Sequence, residues 1–264
     1  MISIVVPLYN KELSIKNTIE SVLNQTYENF EIVIVNDGST DNSLGVVQAI
    51  KDERIRIISK INGGVSSARN VGIKNAASKW VAFLDADDHW QPNHLQVLQE
   101  LKDQYSNASV FTTNFGFPES VDKQKGETTS RIVDYFAEST ERKLINSSTC
   151  LIAVSCFEEV GYFNENLSRG EDLEMWYRLA KKFDIVRSEI QTVIYRLEAE
   201  NRAMNNSASY EKSFASVIDM RNAETKDEKA YLKSQILAKY KSCLYNREWL
   251  NLWKCFRQHQ FSFI

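Results

Sequence analysis

Short apolar runs alternate with helical patterns through the first hundred residues, and this constrains the chain more than any other feature. Residues 2–6, 32–35, 55–58 and 80–84 are nearly all apolar, as suits parallel strands covered on both faces. Between the first two runs, Ile15, Ile19, Val22 and Leu23 fall at i, i+4, i+7 and i+8, an amphipathic face able to cover a sheet. A second helix is expected after Asp41, whose carboxylate can cap free amides, with Val46, Val47 and Ile50 facing inward. A third fits residues 65–77, just after Gly63-Gly64. A fourth fits residues 92–105, with Pro92 in its first turn. Strand and helix repeated in this order imply crossover connections and an α/β fold, Rossmann-like, its mostly parallel sheet sandwiched by helices. Binding residues then belong beyond the carboxyl ends of the strands. Pro7, Tyr9 and Asn10 follow the first strand, Asp37 the second, and Asp85, Asp87 and Asp88 the fourth.

Further along, residues 110–115 read as a strand and the polar stretch 116–130, with Pro118 and Gly126, as a loop. Residues 132–144 fit a helix, 149–154 a strand, and 190–197 a further strand. Residues 171–182 fit a helix that packs through Leu173, Trp176, Leu179 and Ala180. After about residue 198 long apolar runs cease, and alanine, lysine, leucine and glutamate dominate, the composition of helices. The expected division is an α/β domain over 1–205 and a helical C-terminal extension over 206–264. Cys150, Cys156, Cys243 and Cys255 form no CxxC pair, so reduced, buried thiols are expected rather than a zinc site. A net charge of −3 gives no basic stripe for nucleic acid. The opening residues read as a strand rather than a signal peptide, and no apolar run approaches the ~20 residues of a spanning helix. A cytoplasmic protein is expected, with attachment to the inner face of the plasma membrane left open.

Phe83-Leu84-Asp85-Ala86-Asp87-Asp88 is the sharpest local signal. Like charges this close repel unless a cation or hydrogen-bond donors compensate, and Mg2+ or Mn2+ suits oxygen ligands and can bridge to diphosphate oxygens. An acidic loop that caps a helix is the plainer reading. Asp37-Gly38-Ser39-Thr40-Asp41 allows a tight turn and a cap, or an acceptor for a base or ribose. Gly63-Gly64 with Arg69 can present amides and a guanidinium to an anion. Gly170-Glu171-Asp172 opens a helix, so its carboxylates either complement the helix end or supply a general base. Together these groups match what transfer from a sugar joined to a nucleoside diphosphate requires: a pocket for base and ribose, charge on the leaving group, and a base for the incoming hydroxyl.

Six ordered segments make the chain resemble the family 2 glycosyltransferases of GT-A fold over roughly residues 1–197. They are Ser3-Ile4-Val5-Val6-Pro7-Leu8-Tyr9-Asn10, Ser21-Val22-Leu23-Asn24-Gln25-Thr26, residues 31–41 (EIVIVNDGSTD), Ala68-Arg69-Asn70-Val71-Gly72, residues 83–88 (FLDADD), and Gly161-Tyr162-Phe163-Asn164-Glu165 with Gly170-Glu171-Asp172. The resemblance implies that Pro7, Tyr9 and Glu12 line the nucleotide side and that Asp37 recognises the base, usually uracil. It places Arg69 near the donor and Asp85 at the ribose or sugar. Asp87 would hold the metal–diphosphate unit, with Asp88 as the other candidate metal ligand. Asp172 would be the catalytic base of an inverting reaction that depends on Mn2+ or Mg2+.

No QxxRW element is found, which argues against a processive synthase. Transfer of one sugar from a UDP-sugar to a saccharide or lipid-linked saccharide is implied, as in bacterial capsule, exopolysaccharide or lipopolysaccharide synthesis. One alternative is a nucleotidyltransferase that makes the activated sugar, but this needs a glycine-rich loop after the first strand, where Pro7-Leu8-Tyr9-Asn10 stands. The other is a non-catalytic module that binds a sugar nucleotide. Trp249, Leu252, Trp253 and Phe256 recur at helical spacing among Lys241, Arg247, Lys254 and Arg257. They fit either packing on the α/β domain or a second subunit, or a peripheral membrane contact. Residues 198–209 are expected to form an acceptor-side loop, and self-association is left open.

Overall fold

The computed structural model describes residues 1–117, 129–196, 200 and 209–260. The chain starts as expected: β1 (Ile2–Leu8), α1 (Ile15–Leu23), β2 (Phe30–Asn36), α2 (Ser43–Ala49), β3 (Ile55–Ser59), α3 (Val65–Lys74) and β4 (Trp80–Phe83). Then follow β5 (His89–Trp90), α4 (His94–Gln104), β6 (Val110–Gly116), β7 (Ser130–Val133), α5 (Tyr135–Glu138), β8 (Cys150–Ala153), α6 (Val154–Val160), α7 (Glu171–Ala180) and β9 (Ile185–Ile194). α8 (Phe214–Val217), α9 (Lys226–Tyr245) and α10 (Trp249–His259) come last.

The nine strands among the described residues share one sheet, in the order β3-β2-β1-β4-β8-β6-β9-β5, with β7 on β9. The run β3-β2-β1-β4 is parallel throughout. Beyond it β8 is antiparallel to both neighbours, β6 and β9 are parallel, and β5 and β7 are antiparallel to β9. After β3 the chain crosses back to lay β4 on the other side of β1. That reversal of strand order opens a crevice at the carboxyl ends of the strands, where ligands of open α/β sheets bind.

The helices cover both faces. One apolar cluster joins Ile4, Val6, Ile19, Ile34, Leu98 and Val193; the other joins Val5, Phe83, Phe157, Trp176, Tyr231 and Cys255. The second cluster therefore runs from β1 into α9 and α10. α3 lies so close to β1 that a Cβ on Gly72 would come 2.2 Å from Cγ1 of Val5. Only glycine permits that approach, and it sets how near the sheet α3 carries Arg69 and Asn70.

Two expectations need correction. Residues 132–144 are not one helix. They begin as the end of β7 and continue as the single turn of α5, capped by Asp134, whose side chain accepts from the Ala137 amide at 3.1 Å. The register of β7 on β9 claims the apolar residues there, and tertiary pairing prevails over helical spacing. The last strand also starts five residues earlier than expected, at Ile185. Its first half contains Arg187, which is buried yet satisfied: it donates to the carbonyl of Leu144 and to Asn114 Oδ1 (2.7 Å), and pairs with Glu189. A buried, fully engaged arginine breaks the apolar run that marks a strand. Residue 197 and most of the stretches 116–130 and 198–209 lie outside the described residues.

All four cysteines are buried free thiols. Among the described residues no helix is long and apolar enough to cross a membrane.

Candidate active site

A cleft of about 670 Å³ opens beyond β1, β2 and β4, within the usual size range for small-molecule sites. Pro7, Tyr9, Asp37, Arg69, Asp85 and Asp87 all line it. Residues 80 positions apart converge because three parallel strands end side by side.

Pro7 is compatible with a central strand for a specific reason. The Val5 carbonyl accepts from Leu84 on the β4 side, whereas the Leu8 carbonyl accepts from Asp37 on the β2 side. Alternation along a strand then aims position 7 toward β4, whose register with β1 stops at Val5. The missing N–H of proline falls beyond the ladder and costs nothing there. After it, Asn10 adopts a left-handed conformation (φ 52°). Its side chain accepts from the Thr40 amide at 2.8 Å and its own amide donates to Ser39 Oγ. Glu12 lies outside the cleft lining and accepts from the Asn42 amide at 2.8 Å, so it joins the β1 loop to the start of α2.

Asp37 is buried and holds the β3–α3 loop. It accepts from the amides of Gly63 (3.0 Å) and Gly64 (2.8 Å) and pairs with Lys60 at 2.5 Å. Gly64, with φ +87°, gives the loop the turn that presents both amides. Anchoring of the β3–α3 loop by Asp37 goes beyond the turn-and-cap or base-acceptor readings of this segment, at a position that also faces the cleft.

Arg69 occupies the centre. It is 3% exposed, and it pairs with Asp85 at 2.8 Å and with Glu171 at 3.3 Å, while its guanidinium lies over the Phe163 ring. Burial alone would lower its pKa, but Asp85 and Glu171 more than offset that and keep it charged. One helical position on, Asn70 fixes residues 163–165: its amide donates to the Phe163 carbonyl and to Glu165, and its oxygen accepts from the Phe163 amide, each at 2.9 Å. These contacts bring the start of α7 to the cleft. Glu171 lines it, and burial followed by the charge of Asp172 raises the Glu171 carboxyl above its usual range. Asp172 is on the same first turn, with Oδ1 accepting from the Leu173 amide at 2.8 Å and Lys143 3.7 Å away. Trp176 is fully buried, the packing residue that its spacing indicates.

The acidic loop divides. Asp87 faces the cleft and pairs with Lys11 at 2.7 Å; burial, then Asp85, push its carboxyl above the ordinary range, and Lys11 opposes them. Asp88 points inward instead. It is buried, accepts from Ser148 Oγ at 2.5 Å, and leaves its second oxygen without a partner. Burial raises its carboxyl well above the usual range. Among the described residues no three His, Cys, Asp or Glu side chains form a ready metal cluster. Asp85 and Asp87 offer hard oxygen donors on the cleft, which suits a cation that takes its other ligands from phosphate and water; the inward Asp88 does not fit that set.

Lys11 and Ser148 are site residues that sequence reasoning passed over, whereas Glu171 was read there as a helix-end carboxylate or a general base. Lys11 adjoins the quoted Tyr9-Asn10 segment, so position was a signal for it. Ser148 had none. Its hydroxyl accepts from the Asp85 amide and donates to Asp88, across 63 and 60 residues.

Residues 3–165 match the family described as Glycosyl transferase family 2. A glycosyltransferase of Rickettsia bellii (strain RML369-C) is 32% identical over 82% of this chain and 31% of its own length. Chondroitin synthase of Pasteurella multocida (strain Pm70) is 28% identical over 83% of this chain and 23% of its own. The chain thus spans about a third or less of these relatives. The S. aureus TarS 1–349 crystal structure in complex with UDP-GlcNAc is similar in fold, with a TM-score of 0.72 and 23% identity over 88% of this chain and 70% of that one.

Proposed function

Since the chain belongs to glycosyl transferase family 2, we propose that it moves one sugar from a UDP-sugar to a hydroxyl of a saccharide or lipid-linked saccharide, with inversion, in cell-surface polysaccharide synthesis. One observation carries the reading: Asp37, Arg69, Asp85, Asp87 and Glu171 line one cleft at the strand ends, with Asp172 on the adjoining helical turn. The chondroitin synthase relative and the UDP-GlcNAc held by the TarS fold neighbour support the choice of donor and product.

In this reading Asp37 and the loop it anchors receive the base, flanked by Pro7 and Tyr9, and Asp85 meets the ribose or sugar. Asp87, with Asp85 as its neighbour, would hold Mn2+ or Mg2+. When bound, the cation supplies positive charge to the leaving group. Arg69 offsets part of the charge of Asp85 and Glu171, which lessens the repulsion an anionic donor meets. Asp172 takes the proton of the acceptor hydroxyl as it attacks from the face opposite the diphosphate.

Thermal unfolding with a panel of nucleoside-diphosphate sugars, with and without Mn2+, tests this. A UDP-sugar at about a hundred times its Kd should stabilise by about 2.7 kcal/mol, or roughly 5–11 °C, and Mn2+ should enlarge the shift. The reading fails if no sugar nucleotide or nucleoside diphosphate moves the transition. A shift without transfer or donor hydrolysis would favour the non-catalytic module.

A further inference from the structure

α9 and α10 form a helical hairpin whose inner side is committed and whose outer side is bare. Cys243, Cys255 and His259 are buried, Asn251 accepts from the Tyr210 amide, and Glu228 at the start of α9 accepts from Tyr177 on α7 at 2.7 Å. The opposite face of α10 presents Trp249 (64% exposed), Leu250 (65%), Trp253 (54%) and Phe256 (51%). Leu244 and Tyr245, at the end of α9, are exposed beside the same turn. Among the described residues these aromatics are therefore more than half exposed and not buried on the α/β domain. They are not scattered single residues, because positions 249, 250, 253 and 256 fall on one side of a helix.

Basic residues outnumber acids around this face: Lys239 pairs with Glu248 and Lys254 with Glu211, which leaves Lys241, Arg247 and Arg257 as exposed charges beside it. Between residues 229 and 260 stand Lys229, Lys233, Lys239, Lys241, Arg247, Lys254 and Arg257, against Glu248 as the one acid. This stretch carries six positive charges in excess, within a chain whose net charge is −3. Arg257 sits over the Trp253 ring, 5.4 Å from its centroid, so its stem lies along the aromatic face while its charge reaches outward. Aromatic and leucine side chains rimmed by lysine and arginine match the boundary between acyl chains and anionic headgroups. A neutral or basic protein surface would not call for such a rim.

We propose that the outer face of α10, with the hairpin tip at Leu244 and Tyr245, docks the protein in the plane of an anionic lipid bilayer. The proposal does not depend on the sugar chemistry, since none of these residues lines the cleft. The test is co-sedimentation of the full chain with vesicles of equimolar phosphatidylglycerol and phosphatidylcholine, compared with phosphatidylcholine alone, while tryptophan emission is followed. Of the other three tryptophans, Trp90 and Trp176 are buried already and Trp80 packs against the core beside Phe111, so a blue shift reports chiefly Trp249 and Trp253. Binding to the anionic vesicles should exceed binding to the neutral ones by about tenfold or more, given about 1 kcal/mol for each basic residue near the surface. Trp249→Ser with Trp253→Ser should abolish the binding, and Lys241→Gln with Arg247→Gln should remove the anionic preference. All four positions are exposed, and an unchanged melting temperature will confirm that the variants fold. The proposal is overturned if the protein binds neither vesicle, or if the double tryptophan variant binds as well as the parent. It is equally overturned if the face closes a dimer instead, seen as a dimer in sedimentation velocity that the tryptophan variant dissociates without any vesicle binding. In each of those cases a shift of melting by UDP-sugar would stand unaffected.

Discussion

Replacing Arg69 with methionine keeps most of the stem and deletes the charge that Asp85 and Glu171 share. Breaking a buried ion pair by removing one partner costs about 3–5 kcal/mol. The low end applies, because Asp85 is 30% exposed and water can take up part of its charge. A loss of about 3 kcal/mol corresponds to roughly 6–12 °C in melting temperature for a domain of this size. The loss should also depend on pH in a determined direction. Glu171 already has a raised pKa in the folded protein, through burial first and Asp172 second, with Arg69 opposing. A carboxyl raised on folding binds more protons folded than unfolded between its two pKa values, so its contribution falls as pH rises through that window. Without Arg69 the window extends upward. The variant's deficit should therefore be full at about pH 8 and smaller by about 1 kcal/mol or more at about pH 5, one pKa unit being worth about 1.36 kcal/mol. Urea unfolding of both proteins at the two pH values measures this directly. Equal deficits at both, or a deficit that grows at low pH, would refute the charge accounting around Arg69.

Gly72→Ala should destabilise by about 1–3 kcal/mol, since the added Cβ meets Val5 at 2.2 Å. Combining it with Val5→Ala should cost less than the sum of the two single changes, as a double-mutant cycle will show. Asp172→Asn should lower transfer by about 100-fold or more, the usual scale of a lost general base, and leave the UDP-sugar shift of melting intact. Near-parental transfer by that variant would remove Asp172 from the proposed role.

The parallel half of the sheet was legible because each of its strands is a short apolar run, separated from the next by a helix of clear period. The mixed half was harder to read. β9 conceals Arg187 in its first turn of pairing, β5 is only two residues long, and β7 is recognisable only from its partner. Within the site, Asp37, Arg69, Asp85 and Asp87 were legible because they follow strand ends or helix starts. Asp88 was not separable from Asp87 by sequence, since its inward turn depends on Ser148, sixty residues away. The amphipathic spacing of α10 was visible too, but only the fold reveals which face Cys255 and His259 occupy and which is left to solvent.

The position of β8 also imposes an order on synthesis. β1 to β4 are complete once Phe83 has left the ribosome; β1–β2 and β2–β3 pair across 28 and 23 residues, while β4 returns to β1 across 78, the slower step. One edge of that unit, β4, then carries unpaired backbone groups until Cys150–Ala153 emerges to cover it. β6 in turn waits for Ile185–Ile194. A bare edge strand is a template for pairing with a neighbouring chain. The interval between residues 83 and 150 is thus when crowding on a polysome most endangers this protein, and when a chaperone bound along β4 would protect it best.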